Sequence, residues 1–220
     1  HIRNGGKGLF LESLNNGGWD RPEYIRSGEQ MLELVELEPF QKGWLAATWP
    51  DQAGFFGDGK CAMAFMGNWM YGAQASNSAS GEGLGDSNMG MFNMPMTNGG
   101  LGDSGDTLGG INGWLFSSSA SDAAVELMMH YISLDIQKED ASNGAYIPIV
   151  KGADGSLTNP FLQQVAKNIS SSEYHQIFYD QFLGADIGRV VNDVSTDLAA
   201  GIISAEEATQ AVQEAWEFNQ

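Results

Sequence analysis

The 220 residues, 42% of them hydrophobic and 10% aromatic, are enough to bury a substantial core in one large domain or two small lobes. With 28 Asp and Glu against 10 Lys and Arg, the formal charge of -18 disfavours nucleic acid, anionic membrane surfaces and anionic substrates. A neutral, hydroxyl-rich ligand remains compatible, because hydroxyls need local hydrogen-bond partners and not a favourable long-range field.

Cys61 is the single cysteine, so the sequence offers no intrachain disulfide and no thiolate metal cluster. No apolar run approaches the ~20 residues of a membrane span, and His1-Ile2-Arg3-Asn4-Gly5-Gly6 lacks the apolar core of a signal peptide. The chain opens without Met in what reads as mid-domain sequence, so a piece of a longer protein is expected.

Asp20-Arg21-Pro22-Glu23 has capping-box spacing before Tyr24, Met31, Leu32 and Val35, which predicts a helix over about 21–37. Pro39 and Gly43 end it. A Trp-rich segment follows, then a short helix around Phe55 and Phe56 that stops at Gly57-Asp58-Gly59. Lys60–Met66 is a short apolar run bounded by glycines and reads as a buried strand of an α/β sheet. From 76 to 110 the composition is that of a loop, interrupted by a strand over 89–96 that Pro95 stops. Helices are predicted over 122–136, with Asn143-Gly144 as terminator, and over about 159–169, 172–182, 185–200 and 204–218. The last opens with the capping box Ser204-Ala205-Glu206-Glu207. Few strands and many helices indicate an α/β or α+β class.

Several motifs fail on their chemistry. Gly102-Asp103-Ser104-Gly105 matches the tetrapeptide around a serine-protease nucleophile, but no fitting His base accompanies it. Gly81, Gly83 and Gly85 lack the strand and helix of a dinucleotide loop. Asp103 and Asp106 lack the ligand order of a calcium loop, and three scattered His with one Cys form no transition-metal pattern. No cofactor is therefore expected. The carboxylates could include the acid pair of a glycan-processing enzyme, which remains the principal alternative, with peptide or polyamine binding behind it.

The aromatics carry more information. Of six Trp, three (Trp44, Trp69 and Trp114) sit beside glycine or asparagine. A Trp at a cleft edge can cover the C–H face of a pyranose while neighbouring amides bond its hydroxyls. Asn68-Trp69 and Asn112-Gly113-Trp114 pair both functions, and the alternative, that each Trp fills a core, stays open on composition alone.

Phe56-Gly57-Asp58-Gly59-Lys60-Cys61-Ala62-Met63-Ala64-Phe65-Met66-Gly67-Asn68-Trp69 resembles the Phe-x-x-Gly-Lys-x-Ala-Met-x-x-x-Gly-x-Trp signature of extracellular sugar-binding proteins of ABC importers, the maltose and multiple-sugar-binding kind. Gly90–Pro95, Gly109-Gly110 with Asn112-Gly113-Trp114, Tyr146-Ile147-Pro148, and Asp180 through Ala208 resemble later parts of the same family, in order. The resemblance implies two α/β lobes that close on a sugar, here represented by a helix-rich, incomplete carboxy-terminal part. It implies second-lobe material over 1–107 and 158–220, and a segment visiting the first lobe over 108–157. It also implies a carbohydrate ligand, a permease partner, a monomer, an extracytoplasmic location (periplasm or lipid-anchored bacterial surface) and no catalysis. Trp69 would stack on the sugar, Gly113 and Trp114 would line the hinge side, and Arg189 would bond hydroxyls. Asn68 and Asn112 are added on chemistry and location. Cys61 and Asn68 depart from the pattern at variable positions and leave the identity of the sugar open.

Overall fold

The computed structural model describes residues 1–110 and 112–220. Helices α1 (Ile2–Asn16), α2 (Pro22–Val35), α3 (Trp49–Gly57) and α4 (Met70–Asn77) precede strand β1 (Thr107–Gly109). Then come α5 (Asp122–Tyr131), α6 (Leu134–Ser142), α7 (Pro160–Ser171), β2 (His175–Ile177), α8 (Tyr179–Phe182), α9 (Ala185–Ala199) and α10 (Ala205–Phe218). Among the described residues the sheet has two strands, β1 and β2, which run parallel with Leu108 opposite Gln176. The helix-rich α/β character expected from the sequence is thus present. The chain forms two compact units, one of His1–Ala46, Asn93–Ile111 and Ser172–Gln220, the other of Ala47–Phe92 and Asn112–Ser171.

In the first unit the core is aromatic. Phe10, Trp19 and Tyr24 are buried, with Leu9, Leu14, Tyr179, Leu183, Val212 and Trp216 packed around them. Ring centroids lie 5.9 Å apart for Phe10–Trp19, 5.4 Å for Trp19–Tyr24 and 4.9 Å for Phe10–Tyr179, within the favourable range for offset and edge contacts. Burial pushes the Tyr24 phenol up to about 12 and raises Tyr179 well above the ordinary tyrosine range, because the phenolate would lose its water. Small residues set helix spacing: a Cβ at Gly28 of α2 would come within 2.8 Å of the Ala205 Cβ of α10. Gln213 of α10 accepts from the Gly18 and Trp19 amides at 2.8 and 2.9 Å, which fixes the turn between α1 and α2. The buried Arg3 guanidinium donates to the carbonyls of Asp103 (2.6 Å) and Asp106 (3.1 Å) and so holds the loop before β1.

In the second unit α3 and α4 pack on glycines. A Cβ at Gly57 would lie 2.0 Å from the Gln74 carbonyl oxygen, and one at Gly54 would lie 2.5 Å from that of Asn77. Thr48 and Asp51 form the capping box of α3, and Asp58 accepts from the Ala79 amide at 2.8 Å. Gln74 clamps the loop beyond α4, its Oε1 accepting from the Leu84 amide at 2.7 Å. A separate small core joins Ala141, Leu157 and Leu162. Beside it the buried Gln137 donates to the Tyr146 hydroxyl (2.7 Å) and accepts from the Ile149 amide (3.1 Å).

Several local expectations differ from the structure. Asp20 does not cap α2: the N-cap is Arg21 and Pro22 supplies the fixed φ of the first turn. Residues 60–66 and 89–96 form no strand, because no neighbouring strand among the described residues offers them a ladder. Met63 and Phe65 of the first run are 73% and 81% exposed. The helix predicted over 122–136 breaks at Ile132 and restarts after Ser133, the N-cap of α6. That predicted over 172–182 is instead β2 and the short α8, since 175–177 find a partner in β1. Helices α1 and α4 were not anticipated. In α1 Gly6 takes φ +61° inside the helix, a backbone state that glycine alone adopts at little cost.

Candidate functional site

Trp69 is the N-cap residue of α4 and 46% exposed, so it is neither free in solvent nor part of a core. Its benzene edge lies against Gly67: a Cβ there would be 2.3 Å from the indole Cζ3. Glycine at 67 therefore lets the ring settle on the backbone, which restricts its rotamers before any ligand arrives. Asn68 is exposed beside it in the turn that enters the helix. One turn on, Tyr71 donates to Asp86 Oδ1 at 2.9 Å and packs on Phe161 at 5.5 Å between centroids. Desolvation and then the Asp86 carboxylate raise the Tyr71 phenol above its ordinary value and keep it a donor at neutral pH. The entrance to α4 thus carries a half-exposed indole with the Asn68 amide next to it in sequence, while Tyr71 and Asp86 form a separate pair beside Phe161.

Trp114 is 68% exposed and meets Tyr131 edge-on at 6.3 Å; Tyr131 in turn lies 6.4 Å from Tyr146. The Tyr146 hydroxyl donates to Asp140 at 2.5 Å. Asn112 and Gly113 are exposed, and nothing stands within 4 Å of where a Gly113 Cβ would be. Five of the six sequence candidates therefore lie in the second unit, on two segments, Asn68-Trp69 and Asn112-Gly113-Trp114. Arg189 lies in the first unit on α9, its side chain 70% exposed and paired with Asp193 at 2.9 Å. Such an exposed i,i+4 pair stabilises by only ~0.3–0.5 kcal/mol, so it holds the guanidinium loosely.

The first unit also has an open concavity of about 550 Å³ that sequence reasoning missed, lined in part by Lys7, Glu12, Arg21, Asp103, Glu173 and Tyr174. Arg21 donates to Glu12 at 2.7 Å, and the Lys7 ammonium stands 5.5 Å from the Tyr174 ring centroid. The residues come from three distant stretches of sequence, and only the Gly5-Gly6-Lys7-Gly8 run marks it locally. Among the described residues no group of three or more His, Cys, Asp or Glu is placed to hold a metal ion. No helix among them is long and apolar enough to cross a membrane.

No family model and no curated protein matches the chain. Solved structures do. A chitin oligosaccharide binding protein superposes with a TM-score of 0.82 at 23% identity, over 99% of this chain and 54% of its own. A structure from work on xylan utilization by the thermophilic bacterium Caldanaerobius polysaccharolyticus gives a TM-score of 0.78 at 21% identity, over 97% of this chain and 55% of its own. The chain thus spans about half the length of either neighbour. At these identities the likeness shows the fold, which is helix-rich α/β and shared with a named oligosaccharide binder.

Proposed function

We propose that the chain binds a neutral mono- or oligosaccharide and that the protein carrying it delivers the sugar to the permease of an ABC importer. The observation that carries this reading is Trp69: a half-exposed indole seated on a glycine at the entrance to a helix, in a fold shared with a chitin oligosaccharide binding protein. A pyranose laid on the indole would find the hydrogen-bonding groups of the neighbouring Asn68 amide. Neutral hydroxyls suit them better than an anion would, given the charge of -18. Trp114, Asn112 and Gly113 would supply a second aromatic and amide surface.

The same reading makes the chain the carboxy-terminal part of a two-lobe extracytoplasmic protein. It assigns residues 1–107 and 158–220 to the second lobe and 108–157 to a segment visiting the first, a division that differs from the two compact units, in which 47–92 group with 112–171. No cofactor enters, and binding, not turnover, is the activity. Titration with chito- and xylo-oligosaccharides tests it: saturable heat without product is expected, whereas hydrolysis of chromogenic glycosides would favour an enzyme with a carboxylate pair. Because ligand bound only to the folded state raises apparent stability, the sugar that binds should also raise the melting temperature.

A further inference from the structure

The sequence contains five Asn-Gly pairs, at 4–5, 16–17, 98–99, 112–113 and 143–144. Such a pair has a chemistry of its own, because the glycine nitrogen, with no side chain in the way and a pliable backbone, is able to attack the asparagine side-chain carbonyl carbon. A hydrogen-bonded glycine amide keeps its proton and its direction, so reaction there requires local opening first. Three of the pairs are locked in this way by the chain itself. Asn4 is buried, its Nδ2 donating to Ser27 Oγ and Gln30 Oε1 at 2.8 Å each and its Oδ1 accepting from Thr97 at 2.7 Å, while the Gly5 amide donates to the His1 carbonyl at 2.9 Å. The Gly17 amide donates to the Ser13 carbonyl at 2.9 Å, and the next two amides are held by Gln213 of α10. The Gly144 amide donates to the Ala141 carbonyl at 3.1 Å, and the Ala145 amide to that of Asp140 at 3.0 Å, closing the end of α6.

The other two pairs lack these locks. Asn98, Gly99, Asn112 and Gly113 are all exposed, and none of their side-chain or backbone amides has a hydrogen-bond partner among the described residues. Nothing stands within 4 Å of where a Cβ would be on Gly99 or on Gly113. The turn at 97–100 is closed by the Gly100 amide on the Thr97 carbonyl at 3.1 Å, which leaves the Gly99 amide between them unengaged. We propose that Asn98 and Asn112 are sites of spontaneous deamidation, and that Asn4, Asn16 and Asn143 are protected. Hydroxide takes the glycine N–H proton, and the nitrogen pair bonds to the asparagine Cγ as its bond to the side-chain nitrogen breaks. Ammonia leaves with a proton from water. Water then opens the resulting five-membered imide at either carbonyl, giving aspartate or isoaspartate, so the net change is amide plus water to carboxylate plus ammonium. The reaction is intramolecular and needs no partner surface. At Asn112 it turns a hydrogen-bond donor two residues from Trp114 into a group that only accepts. Only that consequence rests on the sugar reading; the chemistry does not.

Peptide mapping by mass spectrometry of the 220-residue chain, held folded in warm, mildly alkaline buffer, tests the proposal, with a parallel sample unfolded in urea. In the folded chain, conversion at Asn98 and Asn112 should outrun that at Asn4, Asn16 and Asn143 at least about tenfold. In urea the five pairs should react alike, and isoaspartate at the converted positions marks the imide route. Asn98→Gln with Asn112→Gln should abolish the acidic forms that ion exchange resolves in the aged chain, with circular dichroism unchanged. Equal rates at all five pairs in the folded chain overturn the proposal. So does a folded chain whose Asn98 and Asn112 stay intact while the same residues convert in urea.

Discussion

The aromatic cluster of the first unit and the apolar side chains around the entrance to α4 in the second draw on similar residue types and have opposite fates. Phe10, Trp19 and Tyr24 are held by neighbours on α8 and α10, reached through long-range contacts. Met63, Phe65 and Trp69 lie in sequence between the tightly packed α3 and α4 but are left wholly or partly exposed. Hydrophobicity alone therefore does not decide burial here; the availability of a partner surface does. Enclosed by neighbouring helices, the aromatics of the first unit stabilise it; left partly or wholly exposed, those near α4 present apolar surface to solvent.

The largest expected effect that separates the two regions is on stability. Trp19→Ala should cost about 3–5 kcal/mol, the usual range for deleting a large core side chain, whereas Phe65→Ala should stay within about 0.5 kcal/mol. Urea unfolding of both variants checks this, and equal losses would erase the distinction. Next is Gly57→Ala, which drives a methyl into the Gln74 carbonyl oxygen of α4. A loss of about 1–3 kcal/mol is expected from overpacking against backbone, and an unchanged denaturation midpoint would contradict the tight α3–α4 contact.

A smaller effect should appear in alkali. Because Tyr24 titrates near 12 when folded and near 10 when unfolded, the unfolded state releases its proton first. Stability is therefore fully present below pH 10 and falls as pH rises from 10 through 12. Tyr24→Phe should flatten that fall, which thermal scans at stepped pH would reveal. An equally steep fall in the variant would assign the alkaline loss elsewhere.

What the sequence made legible follows the same division. Helices α2, α3, α7, α9 and α10 were readable because their signals are local: the Ser204–Glu207 capping box forms as expected and Gly57 is the last residue of α3, whereas Asn143, expected to end the helix over 122–136, ends α6. Strand pairing is not local. Residues 175–177 pair with 107–109 across more than sixty positions, so they were misread as helix. Residues 60–66 have strand-like composition but no ladder among the described residues. Helix α1 was hidden by Gly5, Gly6 and Gly8, which lower helix propensity, and α4 by its Gly, Ser and Asn content. Of the candidate site, Trp69 was singled out by its motif. Tyr71 and Asp86 were not, since a contact between residues fifteen apart exists only once the loop has folded back.

The central claim is that Trp69 is a sugar platform and not a core residue, and one paired measurement decides it. Calorimetric titration of the unmodified chain and of Trp69→Ala with the same chito- or xylo-oligosaccharide is run beside thermal melts of both. The account predicts a loss of a few kcal/mol in binding, as for an aromatic anchor in a recognition site, with a melting temperature nearly unchanged, as its half-exposed position implies. A collapse in melting temperature with unaltered affinity per folded molecule would contradict it.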